Sequence, residues 1–311
     1  MNTVPTPYPI GTPGVPWGEV ERADWLSRQN RRRSYESEVM SVIDSLRFRF
    51  DIEEYGRLDY GLDRYPMMAI RSGDWDDNLP IILVTGGVHG YETSGVYGAL
   101  QFVDQHAAAY SGRVNLLVAP CVSPWAYERI HRWNPNAADP NRSFHDSLSP
   151  EESAEESAAL MRLVAPIRDR VLMHIDLHET TDTDETEFRP ALAARDGKAF
   201  EPGMIPDGFY LVDDSENPQP DFQQAVIEAV EQVTHIAPAD SKGEIIGSPI
   251  AARGVILYPL KQLGLCASIT SAPYRTTTEV YPDSPSATPE QCNRAQVVAV
   301  CAAIDYALAH R

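Results

Sequence analysis

Short, almost uninterrupted runs of apolar residues recur in the middle of this chain and restrict its fold more than any other feature. Three of them are IILVT (81–85), VNLLVAP (114–120) and VLMHIDLH (171–178). Strands without polar alternation are typical of sheets buried on both faces. Helical segments lie between them, the first over Thr93 to Tyr110. The alternation predicts an α/β fold in which a mainly parallel, mixed sheet has helices on both faces.

The other elements are predicted from local signals. FDIEEYGRL and YPMMAIRSGD form two strands around a turn with glycine, and Trp25 to Leu46 is helical, with its arginine run as a solvated face. A capping signature, SPEE (149–152), begins another helix, and residues 291–311 form the last one. Further strands are predicted at Gly208–Val212, Gly254–Tyr258, Leu265–Ile269 and Thr276–Tyr281. Without repeats or linkers, we predict an N-terminal arm and helix over residues 1–50 and a single domain over residues 51–311.

The charge and the cysteines exclude several classes of function. The formal net charge of −19 at pH 7 argues against nucleic acids and anionic membranes, because phosphate groups need a basic surface. No apolar stretch approaches the roughly 18 residues that cross a bilayer, and no signal peptide is recognisable. We predict a cytoplasmic protein, and the sequence does not indicate its oligomeric state. Its four scattered cysteines should be free thiols: Cys121, Cys266, Cys292 and Cys301.

The first apolar run leads into TGGVHGYE, for which two interpretations compete. The first, a dinucleotide-binding loop, lacks the third glycine of G-x-G-x-x-G and a second strand that ends in an acidic residue about 20 positions later. No lysine follows a tyrosine at the spacing found in short-chain dehydrogenases either. The second interpretation is half of a metal site, formed by His89 and Glu92.

A second histidine favours the metal site. Ligand sites in open parallel sheets form beyond the carboxyl ends of the strands, where His89 and Glu92 lie. His178 lies at the end of another predicted strand, and His174 and Asp176 share its face further back. Two histidines and a glutamate at strand ends can form a three-ligand zinc site with a position left for water.

The loop NPNAADPNRSF (134–144) contains a further candidate, the pair Asn141 and Arg142. A guanidinium beside an amide donor can hold a carboxylate. Taken alone, the segment is more typical of a surface turn.

Together these segments resemble the zinc carboxypeptidases of the carboxypeptidase A superfamily, which includes the succinylglutamate desuccinylase and aspartoacylase branch. HGYE (89–92) matches the family's H-x-x-E, and DPNR (139–142) matches D-x-N-R. DLHET (176–180) matches the strand end with the third ligand, and TTTEVYP (276–282) the strand with the catalytic glutamate. The resemblance extends from about residue 55 to residue 311, so the domain over residues 51–311 should be the catalytic domain.

The resemblance implies one Zn²⁺ per chain, bound by His89, Glu92 and His178. Glu279 would be the general base that deprotonates the zinc-bound water and later protonates the leaving amine. Asp139 would accept a hydrogen bond from the outer ring nitrogen of His89 and so fix its tautomer.

The resemblance also implies two sites for the substrate. Asn141 and Arg142 would hold its terminal carboxylate. Either Arg129 or Arg132 would stabilise the oxyanion; the spacing does not decide between them, and we slightly favour Arg129. The family's loop tyrosine has two weak candidates, Tyr258 and Tyr274. The acidic stretch TDTDETEF after His178 is interpreted as a solvated loop.

Two branches of the superfamily fit different parts of the chain. DLHETT and the short interval between the ligands resemble the aspartoacylase branch, whereas the short sequence after Glu279 resembles the carboxypeptidase layout. We therefore predict hydrolysis of an amide next to a free carboxylate, such as removal of a C-terminal amino acid from a peptide. The alternatives are an N-acyl amino acid deacylase and a catalytically inactive α/β binding protein.

Overall fold

The computed structural model describes residues 8–61, 63–145 and 154–311. Its strands are β1 (Phe50–Tyr60), β2 (Asp63–Ser72), β3 (Ile81–Gly86), β4 (Asn115–Ala119), β5 (Val171–Glu179), β6 (Tyr210–Asp214), β7 (Glu244–Ile245), β8 (Ser248–Ala252), β9 (Val255–Tyr258) and β10 (Tyr274–Val280). Its α-helices are α1 (Glu19–Ser27), α2 (Ser41–Leu46), α3 (Thr93–Gln105), α4 (Pro124–Arg129), α5 (Glu155–Val164), α6 (Arg189–Arg195), α7 (Pro220–Val230) and α8 (Pro289–Ala309). The predicted capping signature at residues 149–152 lies outside the described residues.

The described strands form one mixed sheet in the order β1-β2-β4-β3-β5-β10-β6-β9-β8-β7. Its centre, β4-β3-β5-β10, is parallel, and the predicted α/β class is confirmed. The prediction of a mainly parallel sheet holds only for this centre and for the pair of β6 and β9. The flanks are largely antiparallel, because β1 and β2, like β7, β8 and β9, follow one another through short connections. Every residue of β3 and β4 is buried, in agreement with their apolar sequences.

Helices α3, α7 and α8 pack together on one face of the sheet. Gly95 of α3 approaches the backbone of Leu177 so closely that a side chain would not fit there. His174, Asp176 and His178 alternate with Leu177 along β5, so their side chains lie on the opposite face. This face leads to the carboxyl end of the central strands. None of the helices in the described ranges combines the length and apolar character that a membrane crossing requires.

The helix predicted from Trp25 to Leu46 is wrong in its middle. Helix α1 ends at Ser27, and helical structure resumes only with a π-helical turn over Glu36–Met40. The backbone amides of Arg32 and Arg33 both donate to the carbonyl of Glu128, which holds the arginine run in extended form. It is therefore a docked connection rather than a solvated helix face.

The strand predicted at Leu265–Ile269 is also wrong, because this apolar run forms a 3-10 turn over Cys266–Ser268. The amide of Cys266 donates to Oδ1 of Asn141, at 2.7 Å, instead of joining a ladder. Helices α4, α6 and α7 and the β7–β8 hairpin had no counterpart in the sequence analysis.

Glu156 in α5 is 1% exposed, and its Oε2 atom has no hydrogen-bond partner in the described part of the chain. Burial raises its pKa from 4.5 to about 7. Stability is therefore lost as pH rises from 4.5 through 7, because the folded state must then bury a charge.

We expect Glu156→Gln to raise the free energy of unfolding by about 2–3 kcal/mol at pH 8 and to change it little at pH 4.5. Urea unfolding at both pH values measures this, with the exposed neighbour Glu155→Gln as control. An equal gain at both pH values would contradict it.

Candidate metal centre

His89 and Glu92 lie in the turn between β3 and α3. The turn is tight at Gly90, where a Cβ atom would lie 2.1 Å from backbone atoms of Ala126 and Tyr127 in α4. The turn thus packs directly on α4. His178 is the eighth residue of β5, which lies beside β3 with the same direction. Parallel pairing therefore brings the three side chains to one edge of the sheet.

The three side chains converge closely. Nδ1 of His89 lies 2.7 Å from Oε1 of Glu92, and Nδ1 of His178 lies 2.6 Å from Oε2 of Glu92. The two Nδ1 atoms are 3.2 Å apart. Ligand atoms of a tetrahedral zinc ion, each at about 2.1 Å, lie about 3.4 Å from one another. In the described ranges this is the one group of histidine, cysteine and acidic side chains close enough to hold a metal ion, and all three members are buried.

The outer ring nitrogens support the same interpretation. Nε2 of His89 lies 3.0 Å from Oδ1 of Asp139, as the sequence analysis expected, and Nε2 of His178 lies 2.6 Å from Oδ2 of Asp176. With Nε2–H donating to its carboxylate, each imidazole would keep the Nδ1 lone pair for a cation. Asp176 was not predicted for this role, although its i–2 position on the same strand face was the signal. Thr85 donates to its second oxygen at 2.6 Å.

The carboxyl group of Glu92 is ionised in this cluster. Burial alone would raise the pKa of Glu92, but the adjacent His178 and His89 lower it to about 2. Its carboxylate is therefore ionised at neutral pH. A divalent cation at the same position would favour the ionised form further.

Glu279 lies next to the cluster. In the parallel pairing of β10 with β5 it is opposite His178. Its Oε2 accepts a hydrogen bond of 2.9 Å from Thr180, whose hydroxyl lies 2.7 Å from that of Tyr210. Burial raises the pKa of Glu279 to about 8. Neither Thr180 nor Tyr210 was a predicted site residue.

Asn141 and Arg142 follow Asp139 in a short 3-10 turn. Oδ1 of Asn141 is fixed by the Cys266 amide, so Nδ2 faces the cluster and lies 3.3 Å from Nε2 of His178. Arg142 is exposed, and its guanidinium donates to the Asn141 carbonyl at 2.7 Å. Within the described ranges it has no carboxylate within 4 Å. It lines a cavity of about 620 Å³ together with Asp139, Phe188 and Arg195.

The two candidate arginines lie in different surroundings. Arg129 pairs with Asp63 at 2.7 Å, donates to Tyr65 at 2.9 Å and stacks on Trp125. It has no contact with the cluster. Nε of Arg132 donates to Asp139 at 3.0 Å, and its Nη1 lies 3.9 Å from Oε1 of Glu92. The structure therefore brings Arg132 to the cluster, although Arg129 was slightly favoured.

The remaining expectations concern tyrosines and acidic residues. Tyr274 lies at the other end of β10 from Glu279 and donates to the carbonyl of His310. Tyr258 is half-buried at the end of β9 and lies 3.5 Å from the Ser248 hydroxyl. The acidic stretch after His178 is only partly solvated, because Asp184 is buried.

Comparison with known proteins gives one family-model match for part of the chain. Residues 78–199, less than half of the chain, match the family model of the succinylglutamate desuccinylase/aspartoacylase catalytic domain. Among curated proteins there is no match.

Solved structures share the fold at low identity. A candidate metallopeptidase from Shewanella amazonensis SB2B is 19% identical, with 90% of this chain and 98% of that chain covered and a TM-score of 0.60. Carboxypeptidase A from Helicoverpa armigera is 13% identical (92% and 78% covered, TM-score 0.58). A Pseudomonas aeruginosa metallo-carboxypeptidase, solved in complex with (2-guanidinoethylmercapto)succinic acid, is 14% identical (88% and 69% covered, TM-score 0.57). These neighbours show that the chain has the fold of solved metallopeptidases and carboxypeptidases, and the family-model match shows that residues 78–199 resemble the succinylglutamate desuccinylase/aspartoacylase catalytic domain.

Proposed function

We propose that the protein is a zinc-dependent hydrolase that cleaves an amide bond next to a free carboxylate. The observation that carries the proposal is the convergence of His89, Glu92 and His178, with Glu279 on the strand beside them. Two imidazoles and one carboxylate form a donor set that zinc binds with a position left for water. When bound, zinc would activate that water and polarise the scissile carbonyl.

The surrounding residues supply the other functions that the reaction needs. Glu279, oriented by Thr180, takes the proton of the nucleophile and gives it to the leaving amine. Asn141 and Arg142 hold the substrate carboxylate, and Arg132 stabilises the oxyanion. Arg142 suits this role because it lines the cavity and its guanidinium lies 2.7 Å from the backbone carbonyl of Asn141.

Peptides with a free C-terminal carboxylate are the first candidate substrates. N-acyl amino acids are the second, and the match to the desuccinylase/aspartoacylase model over residues 78–199 favours them. We assign catalysis to residues 51–311, with residues 1–50 as an accessory segment, and a cytoplasmic location. A catalytically inactive binding protein would instead purify without stoichiometric metal.

A hydrolysis screen tests the proposal and separates the two substrate classes. Zinc-loaded protein is incubated with dipeptides, with N-acyl amino acids and with the same compounds amidated at the carboxylate. We expect turnover of one class with a free carboxylate and little turnover of its amidated partner. A protein that binds zinc but hydrolyses none of them would refute the proposal.

Arg142→Ala should selectively impair substrates with a free carboxylate. Loss of a charge-assisted hydrogen bond of about 2 kcal/mol lowers kcat/KM about thirtyfold for these substrates. Amidated substrates should change less than threefold. Arg142→Lys is the matched control, since it keeps the charge but not the planar fork, and it should retain an intermediate kcat/KM. Equal losses for both substrate types would contradict the assignment of Arg142.

A further inference from the structure

Arg132 is enclosed by more acidic groups than one guanidinium needs. Its Nε atom donates to Asp139, and its Nη1 atom lies 2.9 Å from the Tyr91 hydroxyl and 3.5 Å from Oδ1 of Asp184. The next carboxylate oxygen belongs to Glu92, at 3.9 Å. The Arg132 side chain is 12% exposed. The Nη1 atom thus lies between Asp184 and Glu92 and can pair with either carboxylate.

Asp184 is itself held firmly. Its Oδ2 accepts the Thr181 amide at 2.8 Å, and its Oδ1 accepts the Tyr91 hydroxyl at 2.7 Å. It begins a π-helical turn, Asp184–Phe188, shortly after β5, and the ring of Phe188 lies 4.2 Å below the guanidinium of Arg132. This π-helical turn also contacts the N-terminal arm, because the Tyr8 hydroxyl donates to Glu187 at 2.6 Å.

We propose that Asp184, together with Tyr91, is a positioning residue that holds Arg132 away from Glu92. In a buried site, ion pairs are little screened by water. With Nε still held by Asp139, the Nη1 atom of an Arg132 released from Asp184 therefore turns to the next carboxylate oxygen, Oε1 of Glu92. That carboxylate is a metal ligand, and an ion pair with Arg132 competes with the cation. The inference rests on the proposed function, in which Arg132 stabilises the oxyanion. The effect of Asp184 on zinc affinity can nevertheless be measured without any turnover.

Zinc affinity, measured by competition with a chelator, is the first test. We expect Asp184→Asn to bind Zn²⁺ about tenfold more weakly than the wild type, as is typical when a group behind a metal ligand is lost. Adding Arg132→Ala removes the competitor, so the double variant should bind zinc within threefold of Arg132→Ala alone. A residue with a merely structural role would weaken binding equally in both backgrounds. Wild-type affinity in Asp184→Asn, or an equally large loss in the Arg132→Ala background, would overturn the proposal.

Turnover is the second test. Asp184→Asn should lower kcat more than it changes KM, and it should cause no further loss in the Arg132→Ala background. Tyr91→Phe removes the hydroxyl that donates to Asp184 and accepts from Arg132 but leaves the Asp184 carboxylate in place. It should show the same pattern with a smaller effect, and it keeps the proposal testable if Asp184→Asn does not fold. The exposed Asp182, which accepts the Tyr281 hydroxyl at 2.8 Å, provides the matched control Asp182→Asn. A wild type that binds zinc without hydrolysing any amide refutes the proposed function only; additive losses in kcat refute the role of Asp184 only.

Discussion

Glu279→Gln should retain zinc and lose catalysis, with kcat lower by about three orders of magnitude. Glu279 is not one of the three converging ligands, so its charge is not needed to hold the cation. Glutamine keeps the size and can still accept the hydrogen bond from Thr180, but it cannot take a proton. Loss of a general base costs about 10²–10⁴-fold in rate.

Two measurements on the same preparation check this expectation: metal content by elemental analysis and kcat on the substrate found in the screen. Glu290→Gln, at an exposed position of α8, is the matched control and should behave as the wild type. A Glu279→Gln variant with full zinc and more than a tenth of wild-type kcat would show that another group is the base.

His178→Ala should release the metal. His178 contributes one of the two Nδ1 atoms of the cluster. The binding free energy of a structural zinc ion is about 10–16 kcal/mol, and it is divided among at most four ligands. One ligand is therefore worth about 3 kcal/mol, or roughly a hundredfold in affinity. The variant also leaves Asp176 buried without its imidazole partner, so it should unfold at lower temperature.

Dialysis against a weak chelator, followed by elemental analysis, measures the effect. The wild type should keep one zinc ion per chain, and His178→Ala should keep almost none. His235→Ala removes a histidine that pairs with Asp207 near the surface and should leave the zinc content unchanged. Stoichiometric zinc in His178→Ala would mean that the metal is bound elsewhere.

The sequence indicates the convergence of His89, Glu92 and His178 because each lies just beyond an apolar run. Once the runs are parallel neighbours, the geometry of the sheet brings their ends together. Asp176 was within reach of the same reasoning, since it alternates with His178 on one strand face. Strand ends are thus the part of such a site that periodicity reveals best.

The choice between Arg129 and Arg132 needs the structure. Three positions apart on one continuous helix, the two side chains would lie on neighbouring faces. Helix α4 instead ends at Arg129, and Ile130 adopts a left-handed conformation with φ of 54°. The chain reverses there, so Arg129 faces Tyr65 and Asp63 whereas Arg132 faces Asp139. The left-handed backbone conformation of Ile130, rather than the spacing in the sequence, therefore determines which arginine lies at the cluster.

Two other misinterpretations have a common physical cause. The run Leu265–Ile269 has the composition of a strand, and the stretch around Asp184 has the composition of a solvated loop. In the folded chain, Asn141 supplies the hydrogen bond that keeps the first out of the sheet, and Tyr91 and Thr181 bury the second. Asn141 and Tyr91 are distant in sequence from the segments that they contact, so local composition does not reveal them.

The docking of the N-terminal arm has a practical consequence for anyone who modifies this protein. The Tyr8 hydroxyl donates to Glu187, and the Trp17 amide donates to the carbonyl of Arg195. The arm therefore contacts both ends of the segment that lines the cavity beside Arg142. A bulky label attached at Tyr8 or Trp17 would therefore disturb these contacts and, through them, the wall of that cavity.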